Sequence, residues 1–143
     1  LDIYICVSGG AVERNKLRNL LFVNNQDNTF SEKGMEYGVA IDKRTTSAAF
    51  FDFDNDGDLD LYVLNHPEQP ERREFNNQEV LAMKKEGGDM DVLLENQDGK
   101  YVEGSQQAGI KNHMFGLGLA VSDFNGDGFQ DIYVSNDFVD FGR

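Results

Sequence analysis

The chain has 143 residues, with 26 acidic and 13 basic side chains, so its formal charge at pH 7 is −13. This balance argues against nucleic-acid binding, because a phosphate backbone requires an excess of lysine and arginine. A hydrophobic content of 39% is too high for a disordered acidic tail, so a folded core is expected, and no apolar run is long enough to span a membrane. The single cysteine, Cys6, excludes an internal disulfide and is predicted to be a buried, unreactive thiol.

The chain opens on a strand-like segment, residues 1–5, with the sequence Leu-Asp-Ile-Tyr-Ile. Residues 59–63 repeat it, so the first copy of an internal repeat begins in its middle, and we expect the chain to be a slice of a longer protein. Residues 19–24, Asn-x-Leu-Phe-x-Asn, have their counterpart in residues 91–96. The offset between these two segments is 72 residues, and we expect the tight turn that follows to be one residue longer in the first copy than in the second. These turns contain dipeptides typical of two-residue hairpins, Asp27-Asn28 and Asp98-Gly99.

Two short segments, residues 52–60 and 123–131, concentrate acidic side chains and share the pattern D-x-[DN]-x-D-G-x-x-D. Oxygen ligands at positions 1, 3 and 5 converge if the chain curls, and glycine at position 6 permits the turn. Such a curl suits a hard cation, and without one the carboxylates would repel each other. We therefore predict two structural Ca²⁺ sites, which Mg²⁺ fits less well because it prefers strict octahedral geometry. The alternative is a solvated acidic turn.

An EF-hand shares the first half of this pattern but needs a glutamate at position 12 and helices on both sides. Position 12 is Val63 in the first loop and Val134 in the second. Apolar and polar residues alternate after both loops, as they do in strands. The sequence therefore argues against an EF-hand.

An offset of 71 residues carries the first loop onto the second. Each repeat is interpreted as four antiparallel strands, which in the second copy are A (47–51), B (60–64), C (91–95) and D (100–103), with the calcium loops between A and B. Four-stranded units of this period predict an all-β fold, a partial β-propeller. The expected divisions are a partial blade (1–32), a full blade (46–103) and the start of the next blade (117–143).

An insertion, residues 65–89, separates strands B and C of the full blade. Two prolines open it, helix-forming residues follow, and Gly87-Gly88 ends it, which predicts a short amphipathic helix on the edge opposite the calcium loops. The alternative is a partner-binding element. The two histidines, His66 and His113, are predicted to be exposed loop residues without a catalytic role.

The two Asp-Phe-[Asp/Asn]-x-Asp-Gly-x-x-Asp-[Leu/Ile]-Tyr-Val segments resemble FG-GAP/VCBS repeats, the blades of the integrin α-subunit propeller and of many bacterial surface proteins. The motif at residues 19–25 and Asn136-Asp137-Phe138 are closer to the ASPIC/UnbV and cartilage acidic protein branch. The resemblance implies a seven- or eight-bladed propeller with calcium in the A–B loops. The implied ligands are Asp52, Asp54, Asp56, Asp58 (carbonyl) and Asp60, and Asp123, Asn125, Asp127, Phe129 (carbonyl) and Asp131.

The preferred function is a non-enzymatic module for adhesion, partner binding or assembly. Its expected location is extracellular or at the cell surface, either on a bacterial outer surface or secreted. Its expected partners are the remaining blades of the same propeller and a protein or glycan ligand on the edge that carries the B–C and D–A connections. The alternative is a propeller scaffold of a secreted hydrolase or lyase whose active site lies elsewhere, because no nucleophile and base cluster in this sequence.

Overall fold

The structure is a computed structural model that describes residues 1–9, 17–66, 91–110 and 115–137. Its elements in chain order are β1 (Ile3–Ile5), β2 (Leu20–Asn24), β3 (Phe30–Glu32), α1 (Gly34–Tyr37), β4 (Arg44–Phe51), β5 (Asp60–His66), β6 (Val92–Gln97), β7 (Lys100–Glu103), β8 (Phe115–Ser122) and β9 (Asp131–Asp137). The strands form three antiparallel sheets: a first sheet β1-β2-β3, a second sheet β4-β5-β6-β7 and a third sheet β8-β9. The all-β fold is therefore confirmed. Within the described ranges, no helix is long and apolar enough to span a membrane.

The second sheet contains the four predicted strands in the predicted order, although two of them extend further than expected. Strand β4 begins at Arg44 because its pairing with β5 continues past a bulge between Thr45 and Ser47. Strand β5 correspondingly continues to His66, two residues into the segment assigned to the insertion. The rest of that insertion, with its predicted helix, lies outside the described residues.

The two hairpin turns differ in length. Asp98 and Gly99 both have positive φ and connect the paired residues Gln97 and Lys100, which confirms the two-residue turn. The corresponding turn between β2 and β3 spans residues 25–29, and its ends are joined by a hydrogen bond from Asn25 N to Thr29 O of 3.0 Å. The first copy carries one residue more than the second at this place, as predicted, so the turn is longer than the two residues that the Asp27-Asn28 dipeptide favours.

The core lies between the sheets, and β5 contributes to both of its halves. Leu61 and Val63 point into one hydrophobic cluster, which the first sheet shares, while Tyr62 and Leu64 point into a second cluster, which the third sheet shares. Successive side chains of a strand face opposite sides of the sheet. A strand that is buried on both faces therefore needs a run of consecutive apolar residues, and β5 has such a run. The second sheet is thus the middle layer of a stack of three.

Close backbone approaches fix the distance between these layers. The Thr46 hydroxyl of the second sheet donates to the Gly116 carbonyl of the third at 2.8 Å. A Cβ atom on Gly116 would lie 2.3 Å from Cδ1 of Leu64, so a larger residue would push the sheets apart. A Cβ atom on Gly38, which ends α1 with a φ of 82°, would similarly lie 2.6 Å from the Tyr101 carbonyl oxygen.

A buried polar network joins the first and second sheets. The Asn19 amide donates to the Thr45 hydroxyl at 2.7 Å and to the Tyr4 hydroxyl at 3.1 Å, and Asn19 Oδ1 accepts from Val7 N at 2.9 Å. The Thr45 hydroxyl in turn donates to Asn65 Oδ1 at 2.9 Å. Each of these polar side chains is therefore paired, which removes most of the cost of burying it.

The repeat reproduces this network one layer further along. Asp91 occupies the position of Asn19, where its two oxygens accept from Asn65 N at 2.8 Å and from the Tyr62 hydroxyl at 2.7 Å. Burial, followed by the charge of Asp91, raises the pKa of Tyr62. The residue before strand C therefore has the same role in both copies, which is to tie that strand to the end of strand B.

The two histidines and the single cysteine lie outside the repeat motifs. The prediction that His66 is an exposed loop residue was wrong. His66 is the last residue of β5, and its ring packs edge-on against the Phe115 ring, with the two centroids 5.5 Å apart. His113 lies outside the described residues. Cys6 is a free, half-buried thiol whose pKa is raised by burial, as expected for an unreactive cysteine.

Candidate metal centre

The first acidic loop connects β4 to β5 and brings three carboxylates together. One oxygen from each of Asp52, Asp54 and Asp60 lies within 4.8 Å of the other two. Asp52 comes directly after the last residue of β4, and Asp60 is the first residue of β5, so the antiparallel pairing of Phe51 with Asp60 holds both ends of the loop together. No other trio of histidine, cysteine, aspartate or glutamate comes this close in the part of the chain that the structure describes.

Backbone amides shape the interior of this loop. Asp52 accepts hydrogen bonds from the amides of Asp56 and Gly57, both at 3.1 Å. Asp54 accepts from the same Asp56 amide at 3.2 Å. Gly57 adopts a φ of 96°, which a residue with a Cβ rarely adopts, so the curl predicted from the glycine is confirmed.

Asp60 is the anchor of the site, because it is only 1% exposed. Its two oxygens are held from opposite sides, by Phe53 N and by Asn96 N, both at 2.8 Å. The second contact comes from the end of β6, which shows that the A–B loop and the C–D turn lie on the same edge of the sheet, as predicted. A buried carboxylate with both oxygens fixed in this way is a rigid, oriented ligand.

The second loop connects β8 to β9 and repeats this hydrogen-bond pattern. Asp123 accepts from Gly128 N at 2.9 Å and from Gly126 N at 2.6 Å, and Asp131 accepts from Phe124 N at 3.0 Å. These backbone amides, with Gly128 contributing most, lower the pKa of Asp123. The two loops therefore share one backbone conformation at their first and ninth positions.

The structure does not bring every predicted ligand together. In the first loop, Asp56 and Asp58 lie outside the trio, and Asp56 Oδ1 instead accepts from Asp58 N at 2.8 Å. In the second loop, the carboxylates do not form a trio of this kind, and Asn125 donates to Asp127 Oδ2 at 3.1 Å. Phe129 N donates to Asp127 Oδ1 at 2.9 Å, the same contact that Asp58 makes in the first loop.

The electrostatics of the first loop favour a bound cation. Desolvation, followed by the charges of Asp56, Asp60 and Glu95, raises the pKa of Asp54. Among residue pairs that the structure describes, no lysine or arginine forms a salt bridge with a carboxylate of this loop. The negative charge thus lacks a counter-charge from the described protein, and an all-oxygen donor set of this kind fits Ca²⁺.

Sequence reasoning missed the neighbours that support the loop from the C–D hairpin. These are Asn96, which holds Asp60, Glu95, which adds negative charge near Asp54, and Tyr101, whose hydroxyl donates to the Leu59 carbonyl at 2.8 Å. One of them could have been found, because Asn24 and Asn96 occupy the same place in the repeat. Asn24 N indeed donates to Asp2 at 2.8 Å, so Asp2 is the structural counterpart of Asp60.

Stacked antiparallel sheets, with an acidic loop between the first two strands of both the second and the third sheet, define a protein of the β-propeller type. Comparison with protein families agrees with this class. Residues 1–63 match the FG-GAP-like repeat and residues 115–143 match the FG-GAP repeat. The two matches identify FG-GAP repeats in these two stretches of the chain. No curated protein matches it.

Proposed function

We propose that this chain is a calcium-braced segment of a β-propeller that acts outside the cell as a binding or assembly module. FG-GAP repeats are typical of extracellular proteins and are generally non-catalytic. The observation that carries the calcium proposal is the trio of Asp52, Asp54 and Asp60, within 4.8 Å of one another. Calcium would join the ends of two strands, so its binding energy would add to the stability of the fold.

Two sites are proposed, one in each acidic loop. The ligands of the first would be the trio and, after a small rearrangement, Asp56 and the Asp58 carbonyl. The second loop has the same backbone pattern but one carboxylate ligand fewer, because Asn125 replaces the aspartate at its third position. Since calcium affinity falls as the ligand charge falls, the second site would be the weaker one.

The proposed assembly partners are further blades. The outer faces of the stack carry apolar side chains that the middle sheet buries: Ile3 is 45% exposed, whereas Leu61, its repeat counterpart, is fully buried. Tyr133 of the third sheet is likewise 62% exposed, whereas Tyr62 is buried. Blades of this family pack on one another, and the proposed divisions are residues 1–32, 46–103 and 117–143.

The proposed ligand surface is the edge opposite the calcium loops, where the B–C and D–A connections lie. Loops held by a rigid sheet are the usual place for recognition, and a protein or glycan is the proposed ligand.

Assignment to the ASPIC/UnbV branch is also proposed, from the Asn-x-Leu-Phe-x-Asn motif. The structure gives its last asparagine a role, because Asn24 and Asn96 each accept a backbone amide of the turn that follows, both at 2.8 Å.

Terbium luminescence tests the first site, because Tb³⁺ replaces Ca²⁺ and emits when a nearby tyrosine is excited. Tyr101 lies beside the loop through its hydrogen bond to Leu59. We expect sensitised emission that Ca²⁺ displaces, that Asp54→Asn weakens, and that Tyr101→Phe dims. Asp42→Asn, a change of the same charge at an exposed site away from the loop, should behave as wild type. Emission unaffected by Asp54→Asn would contradict the proposal.

A further inference from the structure

A hydrogen bond joins the two acidic loops. The side-chain amide of Asn55, at the fourth position of the first loop, donates to the Gly128 carbonyl of the second loop at 3.1 Å. The two residues are 73 positions apart in the sequence, so the contact crosses from the second sheet to the third. The bond from the Thr46 hydroxyl to the Gly116 carbonyl joins the same sheets at their other edge. The two loops are therefore in direct contact, although they connect strands of different sheets.

The backbone at the fourth loop position is left-handed in both loops. Asn55 has a φ of 63°, and Gly126, its counterpart in the repeat, has a φ of 79°. Glycine adopts this conformation freely, whereas among residues with a Cβ atom it is mainly asparagine, aspartate and histidine that do so. The first loop therefore carries asparagine where glycine would satisfy the backbone. What the asparagine adds is the side-chain amide that reaches the second loop.

The acceptor of this bond belongs to a peptide unit that the second loop also holds. The Gly128 carbonyl accepts from Asn55, and the amide of the same peptide unit, Phe129 N, donates to Asp127 Oδ1 at 2.9 Å. A hydrogen bond at the carbonyl polarises the peptide unit and strengthens its N–H group as a donor. Asp127 and the Phe129 carbonyl are two of the proposed ligands of the second loop. Asn55 thus acts on the segment that carries these ligands.

The first loop in turn fixes the conformation of Asn55. Its neighbours in the sequence are Asp54, a member of the trio, and Asp56. The Asp56 amide, which belongs to the peptide unit that follows Asn55, donates to Asp52 at 3.1 Å and to Asp54 at 3.2 Å. A cation bound to the Asp52 and Asp54 carboxylates would hold this curl and, with it, the direction of the Asn55 side chain. Asn55 therefore links the geometry of one loop to that of the other.

We propose that Asn55 is a positioning residue that couples the two acidic loops, so that its hydrogen bond makes cation binding in one loop favour binding in the other. The inference rests on the proposed calcium sites and adds that they are not independent. Linkage requires the coupling to be equal in both directions. A single exposed hydrogen bond supports a coupling of about three- to tenfold in affinity.

Asn55→Gly tests the contact without calcium, because glycine keeps the left-handed backbone and removes only the side chain. In EDTA, NMR of the isotope-labelled chain should show a change in the Gly128 carbonyl and Phe129 amide signals. The control is Asn28→Gly, the same change at another exposed, left-handed position, with a φ of 68°, in the turn between β2 and β3. It should leave both signals in place, and both variants should keep cooperative melting. Unchanged Gly128 and Phe129 signals in Asn55→Gly would overturn the proposal.

A calcium titration followed by NMR tests the coupling, with the Gly128 amide as the reporter of the second loop. The affinity of the second loop is measured with and without a working first loop, which Asp60→Asn removes, in the parent chain and in Asn55→Gly. Repulsion between the two ions acts in both backgrounds, so the comparison cancels it. We expect the ratio of the two affinities, first loop working over first loop removed, to be about three- to tenfold larger in the parent than in Asn55→Gly.

The outcomes separate this coupling from the calcium sites themselves. An equal ratio in the two backgrounds would overturn the coupling while leaving the proposed sites intact. Absence of calcium binding in the second loop of the parent chain would overturn the proposed second site, and the coupling with it.

Discussion

Replacing Asp60 by asparagine separates the structural and the ionic roles of the first loop. The change keeps the shape of the side chain but removes one of two acceptors that now hold the amides of Phe53 and Asn96. An amide donor would then face a backbone amide, which costs about 1–3 kcal/mol.

The same change relieves repulsion within the trio. Two unit charges no more than 4.8 Å apart repel by at least about 3 kcal/mol at the effective dielectric of a protein surface, before screening by salt. The two effects oppose each other, so in EDTA the Asp60→Asn variant should unfold within about 2 kcal/mol of wild type.

Calcium should distinguish the two proteins clearly. A ligand at 100 times its dissociation constant stabilises the folded state by about 2.7 kcal/mol, which raises the melting temperature of a domain of this size by roughly 5–10 °C. In Asp60→Asn the contribution of the first loop to this increment should disappear. Differential scanning calorimetry with and without calcium measures it, with Asp42→Asn as the control. An equal calcium increment in Asp60→Asn and wild type would refute the reasoning.

Two further predictions concern the sheet interface and the first hairpin. Gly116→Ala should destabilise the fold by about 1–3 kcal/mol, because its Cβ would overlap Leu64, whereas Gly104→Ala, whose Cβ would meet nothing within 3.7 Å, should be close to neutral in urea unfolding. Thr29→Val should raise the pKa of Asp27 towards its ordinary value, because the Thr29 hydroxyl is the main cause that lowers it. The carboxylate contact stabilises the fold above the pKa of the unfolded chain and is lost as pH falls through the folded pKa. A carbon-detected NMR titration of Asp27 checks this, and an unchanged pKa would contradict it.

The sheet order and most strand positions followed from the sequence because they depend on local patterns. Alternation of apolar residues placed β5 and β6, and the Asp98-Gly99 dipeptide placed the turn after β6. The bulge between Thr45 and Ser47, and the resulting earlier start of β4, depend on pairing across the sheet and on contact with the third sheet. Such non-local terms leave no short signature in one sequence.

The candidate site could likewise be predicted from the sequence only in part. Spacing alone identified the loop and its curl, because a pattern of alternating oxygens and a glycine specifies both. It did not show that Asp56 stands apart from the trio, nor that Asn96 and Tyr101 brace the loop from another hairpin. Those contacts depend on where β6 and β7 lie relative to the loop. The complete fold determines that position, and a short sequence pattern does not. His66 was misassigned for a related reason, since its contact with Phe115 crosses between sheets.

Calcium titration of the metal-stripped chain by isothermal titration calorimetry tests the central claim most directly. The account predicts two ions per chain, the tighter one bound more weakly in Asp54→Asn and the weaker one lost in Asp127→Asn. It also predicts that the same protein binds magnesium more weakly. Absence of calcium binding at millimolar concentration, in a chain shown to be folded by its melting transition, would contradict it.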